Sequence, residues 1–127
     1  MRIAFFHSGP DTTLPEAFCR SARLNLDPSC SGILHLADGS TPKIDGATDV
    51  FRMSNFDPDR VMYSRMRAYS EALQKFDETI CFFDTDMLIT SSFTVSVDGD
   101  RPILCRRSFY RDMLLKTDMY NCPLPHH

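Results

Sequence analysis

This chain has no apolar stretch long enough to cross a membrane. Its opening MRIAFFHSGP carries an apolar run too short for a secretory leader, so neither a span nor a leader is expected. A basic block is also missing. Fourteen lysines and arginines stand against 17 aspartates and glutamates, and the formal net charge of −3 gives no general attraction to nucleic acid or to an anionic membrane. The arginine-rich spots, such as Arg65-Met66-Arg67 and Arg106-Arg107, are local and suit a small anionic ligand better than a polyanion. Close cysteine pairs are absent too. Cys19, Cys30, Cys81, Cys105 and Cys122 are odd in number and lack zinc-site spacing, which argues for a reduced, cytoplasmic compartment. Cys81 and Cys105 lie in apolar strand-like runs, where a thiol behaves as a small hydrophobe. No internal repeat and no low-complexity linker interrupts the chain.

What is present is the composition of one ordinary globular domain, residues 1–127, with 43% hydrophobic and 24% charged residues. Residues 2–7 (RIAFFH) read as a buried strand that stops at the loop signature Ser8-Gly9-Pro10. Thr12 or Thr13 can cap a helix with Pro15 and Glu16 in its first turn and Leu14, Ala17, Phe18 and Ala22 on one face. Asp27-Pro28 stops it. Residues 31–37 (SGILHLA) form a second strand, ended by Asp38-Gly39, and residues 47–53 a short third. A stronger helix follows, with Asp57 as N-cap, Pro58 as first residue and Asp59 favourable to the dipole. Met62, Met66, Tyr69, Leu73 and Phe76 give it a stripe that reads as packing rather than as a cofactor box, with Arg60, Ser64, Arg67 and Glu71 on the other side. Residues 79–83 make a fourth strand and residues 101–105 a fifth. This order predicts an α/β fold with a mainly parallel sheet covered on both faces, and ligands bound beyond the carboxyl ends of the strands. The loops at His7-Ser8-Gly9, Asp38-Gly39 and Asp84-Thr85-Asp86 would all open on that edge.

The segment ICFFDTDMLI, residues 80–89, sets two carboxylates one residue apart inside the most apolar stretch of the chain. Burying an ionised carboxylate costs several kcal/mol unless it is compensated. Asp-x-Asp at a strand end can be a mere turn or cap. The apolar residues on both sides favour a site over a solvated turn. Two hard oxygen ligands suit Mg²⁺ or Mn²⁺, which keep waters and share their shell with substrate phosphates.

The stretch from Arg67 to Ile89, RAYSEALQKFDETICFFDTDMLI, resembles the core of GT-A-type glycosyltransferases, the nucleotide-diphospho-sugar transferases that include glycogenin-like galactosyl- and glucosyltransferases. These show an arginine-bearing helix and then an apolar strand ending in a DxD motif. The opening strand, Asp38 after the second strand and the ILCRR segment also fall in the family's order. The resemblance implies a Rossmann-like three-layer α/β/α fold, here cut short. It implies transfer of a sugar from a nucleotide-diphospho-sugar, with UDP as the expected nucleotide, to an acceptor hydroxyl. Asp84 would contact the ribose and the metal, and Asp86 would ligate a Mn²⁺ (or Mg²⁺) that bridges the diphosphate. Arg67 would neutralise the diphosphate or orient the aspartates. His7, Ser8 and Gly9 would lie against the nucleotide, and Asp38 would meet the base or ribose. Taken alone, Arg67 reads equally as a solvated helix arginine, and His7 as a histidine that ends a strand.

The family continues further past DxD than this chain does, and the glycine expected near Asn121 is absent. The expectation is therefore a donor-binding half, with an exposed sheet edge that invites self-association into a homo-oligomer. Two other classes compete. One is a nucleotide-binding module without turnover. The other is a haloacid-dehalogenase-like phosphatase, in which the first Asp is a nucleophile and the second an acid/base. Met87-Leu88-Ile89 departs from that phosphatase motif.

Overall fold

Continuous apolar runs such as RIAFF and ILHLA suit strands that are enclosed on both faces. A computed structural model, which describes residues 1–95, shows them used in this way. The elements are β1 (Arg2–Phe6), α1 (Thr13–Asn25), β2 (Ile33–Ala37), β3 (Asp49–Arg52), α2 (Val61–Lys75) and β4 (Ile80–Phe83). They form one four-stranded sheet in the order β3-β2-β1-β4, and all three pairings are parallel. The α/β architecture with a parallel sheet is thus what the chain adopts. The expected strand at residues 101–105, the helical pattern of Phe109, Met113 and Lys116, and Asn121 lie outside the described residues. Among the described residues no helix is long and apolar enough to cross a membrane.

The period-two alternation of strand side chains divides the core. Ile3, Phe5 and Ile33 pack with Phe18, Cys19 and Ala22 of α1 and with Ile44. Ala4, Leu34 and Leu36 pack with Met53 and with Ala68 and Ala72 of α2. All five residues of β2 are buried. Each fully buried Leu, Ile or Phe contributes about 1.5–3 kcal/mol relative to exposure. Charge is confined to the strand ends. At the amino edge Arg2 donates from Nε to Glu78 at 2.6 Å and from Nη1 to Asp49 at 2.7 Å, with its guanidinium 4.6 Å above Phe76. One side chain therefore ties the beginnings of β1, β3 and β4.

Several sequence expectations shift. β1 stops at Phe6 rather than His7, β2 begins at Ile33 rather than residue 31, β3 is trimmed to Asp49–Arg52, and β4 begins at Ile80. In α1 the buried residues are Pro15, Phe18, Cys19 and Ala22, while Leu14 faces solvent. Thr12 occupies the N-cap position without a side-chain capping bond, and Asp11 Oδ1 instead accepts the Thr13 N–H. α2 starts at Val61, not Pro58. Asp57 caps its own turn, accepting from the Asp59 N–H and from Arg60 Nε, so Arg60 becomes the N-cap. The expected stripe holds only in part: Tyr69 and Phe76 pack against the core, but Met62 and Met66 are 62% and 59% exposed, and Leu73 is exposed with them. Ser64, Ala68 and Ala72 are buried instead. Small residues let the helix axis lie close to Ala4, Leu34 and Leu36, and that close approach outweighs the longer side chains on the neighbouring stripe.

The β2–β3 connection leans on α1 through a glycine. Gly46 has φ 93°, and a Cβ built there would stand 2.9 Å from the Cys19 Cβ. Both the left-handed backbone and the contact penalise a side chain. Gly46→Ala is expected to lower stability by about 1–3 kcal/mol in urea unfolding. Gly39→Ala, where a Cβ meets nothing within 4 Å, should stay within about 0.5 kcal/mol. Equal losses at the two positions would contradict the packing of this loop on α1.

Candidate functional site at the carboxyl edge of the sheet

Polar groups that leave a parallel sheet at its carboxyl edge can reach both solvent and one another without disturbing the ladder. β1 lies between β2 and β4, so residues 7–9 leave the sheet between Asp38 and Asp84. At the end of β4 the Met87 N–H donates to the Asp84 carbonyl at 3.2 Å and closes a turn that carries both aspartates. Arg65 Nη2 donates to Asp84 Oδ1 at 2.9 Å. Asp86 is exposed, and among the described residues its carboxylate has no ion pair.

The arginine facing Asp84 is therefore Arg65, not Arg67. Two positions on a helix differ by about 200° in direction, so the two side chains cannot share a face. Arg67 donates to Glu71 at 3.5 Å and lies 6.0 Å from the Tyr63 ring. Arg65 rests 5.5 Å from the ring of Tyr69, which stacks on Phe82 of β4 at 4.1 Å. That aromatic floor holds the guanidinium beside the end of β4. Among the described residues Arg65 Nε is buried without a hydrogen-bond partner.

On the other side of β1 the loops are locked together. The His7 N–H donates to the Leu36 carbonyl at 3.1 Å, and the Gly9 N–H donates to Thr41 Oγ1 at 3.0 Å. Thr41 donates its hydroxyl to Asp38 Oδ1, which also accepts the backbone N–H groups of Ser40 at 3.1 Å and Thr41 at 2.7 Å. Arg52 Nη1 braces the same loop, donating to the carbonyls of Asp38 at 2.8 Å and Thr41 at 2.9 Å. Burial alone would raise the Asp38 carboxyl pKa, but the hydrogen bonds from Thr41 and Ser40 outweigh it and hold the group below the usual carboxylate range. Its oxygens are thus committed to shaping the loop. Ser8 is half-buried between His7 and Gly9.

His35, in the middle of β2, has no exposed surface and stacks on Phe5 at 5.0 Å with 8° between the ring planes. Its Nε2 lies 3.1 Å from the His7 carbonyl, which assigns the proton to Nε2 in the neutral ring. Burial pushes its pKa down to about 4. Sequence reasoning missed His35, Thr41 and Arg52, and it noted Arg65 only as part of the Arg65-Met66-Arg67 group. A lone polar residue inside ILHLA was the one available signal, since a histidine in a strand buried on both faces must find a polar partner.

Among the described residues no group of three or more His, Cys, Asp and Glu side chains could enclose an ion. Two carboxylates in one turn still fit a Mg²⁺ or Mn²⁺ ion whose remaining ligands are water and phosphate. Two surface depressions, about 510 and 340 Å³, lie elsewhere, among Arg20, Arg23, Lys43, Asp45 and Gly46. They are open, and no paired chemistry converges on them, so the strand-end geometry decides the site. Comparison with protein-family models, with curated proteins and with solved structures finds no match to this chain.

The placement of the two arginines is testable. Arg65→Ala should cost about 1 kcal/mol, from lost stem packing and the half-exposed ion pair. Arg67→Ala should cost no more than about 0.5 kcal/mol, as for an exposed helix pair. Urea midpoints with unchanged m-values measure both. Equal losses would contradict the seating of Arg65 on Tyr69 and Asp84.

Proposed function

We propose that the carboxyl edge of this sheet binds a nucleotide-diphospho-sugar together with Mn²⁺ or Mg²⁺. The chain would then be the donor-binding part of a metal-dependent glycosyltransferase that passes the sugar to an acceptor hydroxyl. The observation that carries this reading is the Asp84–Asp86 turn at the end of a parallel strand, with Asp84 held by Arg65 and Asp86 exposed. Asp86, with Asp84, would hold the cation, which when bound neutralises charge on the departing diphosphate. Arg65 would orient Asp84, and its guanidinium is a donor group suited to a phosphate oxygen. Residues 7–9 would line the nucleotide side. Asp38 would support them through Thr41 rather than reach the ligand itself. Arg67, already bonded to Glu71, is a weaker candidate for the diphosphate than Arg65.

In this reading the sheet and its two helices form the first part of a Rossmann-like three-layer α/β/α fold of the nucleotide-diphospho-sugar transferase type. A reduced, cytoplasmic setting and association with a second copy belong to the same proposal.

Titration calorimetry with UDP, with and without Mn²⁺, tests it. Affinity should depend on the metal. Asp86→Ala should weaken the metal-dependent part at least tenfold, which corresponds to about 1.4 kcal/mol, with the melting curve unchanged. A folded Asp86→Ala variant that keeps the full Mn²⁺-dependent affinity would refute the assignment. Metal-dependent binding without any sugar release or transfer would point to a nucleotide-binding module instead.

A further inference from the structure

We propose that His35 is the proton sensor of an acid-opened latch, which holds residues 7–9 against the end of β2 at neutral pH and releases them when its ring becomes charged. The latch consists of three hydrogen bonds. The His7 N–H reaches the Leu36 carbonyl at 3.1 Å, His35 Nε2–H reaches the His7 carbonyl at 3.1 Å, and the Gly9 N–H reaches Thr41 Oγ1 at 3.0 Å. All three are made by residues beyond the last residue of β1, so they can break while the register from Ile3↔Ile33 to Phe5↔His35 stays intact. Lifting residues 7–9 would give the His35 ring access to water.

The closed state has no place for a second ring proton. His35 Nδ1 is buried and has no hydrogen-bond partner among the described residues, so an N–H created there would find no acceptor among them. The surroundings also oppose the charge. Solvent is excluded on the Phe5 side by the stacked ring. The ionisable groups acting on His35 are His7 at the end of β1, whose ring centroid is 6.2 Å away, Arg52 at the end of β3 and Asp38 at the end of β2. Two of these are cationic or can become so. The hydrogen bond to the His7 carbonyl and Asp38 favour the charge, but Asp38 Oδ1 is already taken by Ser40 and Thr41. Asp11, ahead of α1, acts on His7.

The direction with pH follows from linkage. A histidine whose pKa is lowered on folding, here to about 4, contributes its stabilisation in full above the ordinary value of about 6.5. That contribution is lost as pH falls through this interval. The latch rests on burial and hydrogen bonding alone and does not depend on which ligand the edge binds.

Amide hydrogen exchange at pH 7 and pH 5, expressed as protection factors, reads the latch directly. Protection of His7 and Gly9 should fall about tenfold or more between the two, the size that this shift in the opening equilibrium implies. Ala4 and Leu34 should hold their protection. In His35→Gln, which keeps a donor towards the His7 carbonyl but cannot titrate, the acid loss at His7 and Gly9 should vanish. A wild-type loop whose protection does not change, or an equal fall in the variant, overturns the proposal. Should the variant fail to fold, the wild-type His35 ring signals decide by NMR titration. The latch requires a His35 midpoint well below 6.5, matched by shifts of the His7 and Gly9 amides. An ordinary midpoint, or concerted loss of the core amides, overturns it.

Discussion

β1 has a strand on each edge and packed side chains on each face, and this enclosure is the constraint on which the rest of the structure depends. Ile3, Ala4 and Phe5 have no exposed surface, so nothing polar can be tolerated along the strand itself. Charge and hydrogen-bonding chemistry are driven to its two ends. At the amino end Arg2 gathers Glu78 and Asp49; at the carboxyl end His7 and Gly9 meet the end of β2 and the loop that follows it. The carboxyl edge is rich in function-bearing residues because the enclosed length of β1 excludes them.

The two ends are built differently. The amino edge is a closed ionic clamp in which a single guanidinium satisfies two carboxylates and stacks on Phe76. The carboxyl edge keeps reserve capacity: among the described residues, Arg65 Nε, His7 Nε2 and His35 Nδ1 are buried without hydrogen-bond partners. Unpaired buried polar atoms are costly in a finished core. Three of them at one edge are what a surface awaiting a polar ligand, or poised to open, would present. The amino edge holds the strands in place, and the carboxyl edge is where they can act.

Legibility in the sequence followed the strength of the local signal. The strands were read within two residues at each end, because RIAFF, ILHLA and ICFF are apolar runs bounded by turn residues. The second helix was located, but its buried face was misjudged. Two stripes compete on it, Met62-Met66-Leu73 and Ser64-Ala68-Ala72, and periodicity weights the larger side chains. The sheet selected the smaller ones because alanine permits close approach to Ala4 and Leu34. Asp57 has every mark of an N-cap, yet it caps the turn before the helix. Of the site, the two aspartates after β4 and the loop after β1 were visible as polar residues ending apolar runs. Arg65 was not, since choosing between Arg65 and Arg67 needs the rotation of the helix about its axis.

The sequence by itself determined that this is an α/β protein with parallel strands, and that the aspartates leave the sheet at a strand end. Both follow from hydrophobic runs and turn residues, which act over a few positions. Only the tertiary structure decided which arginine meets Asp84, that Asp38 spends its carboxylate on Ser40 and Thr41, and that His35 answers the carbonyl of His7. Each of these contacts joins residues on different elements or sets the rotation of one element against another. They depend on packing distances of a few ångströms, which no local pattern in the chain encodes.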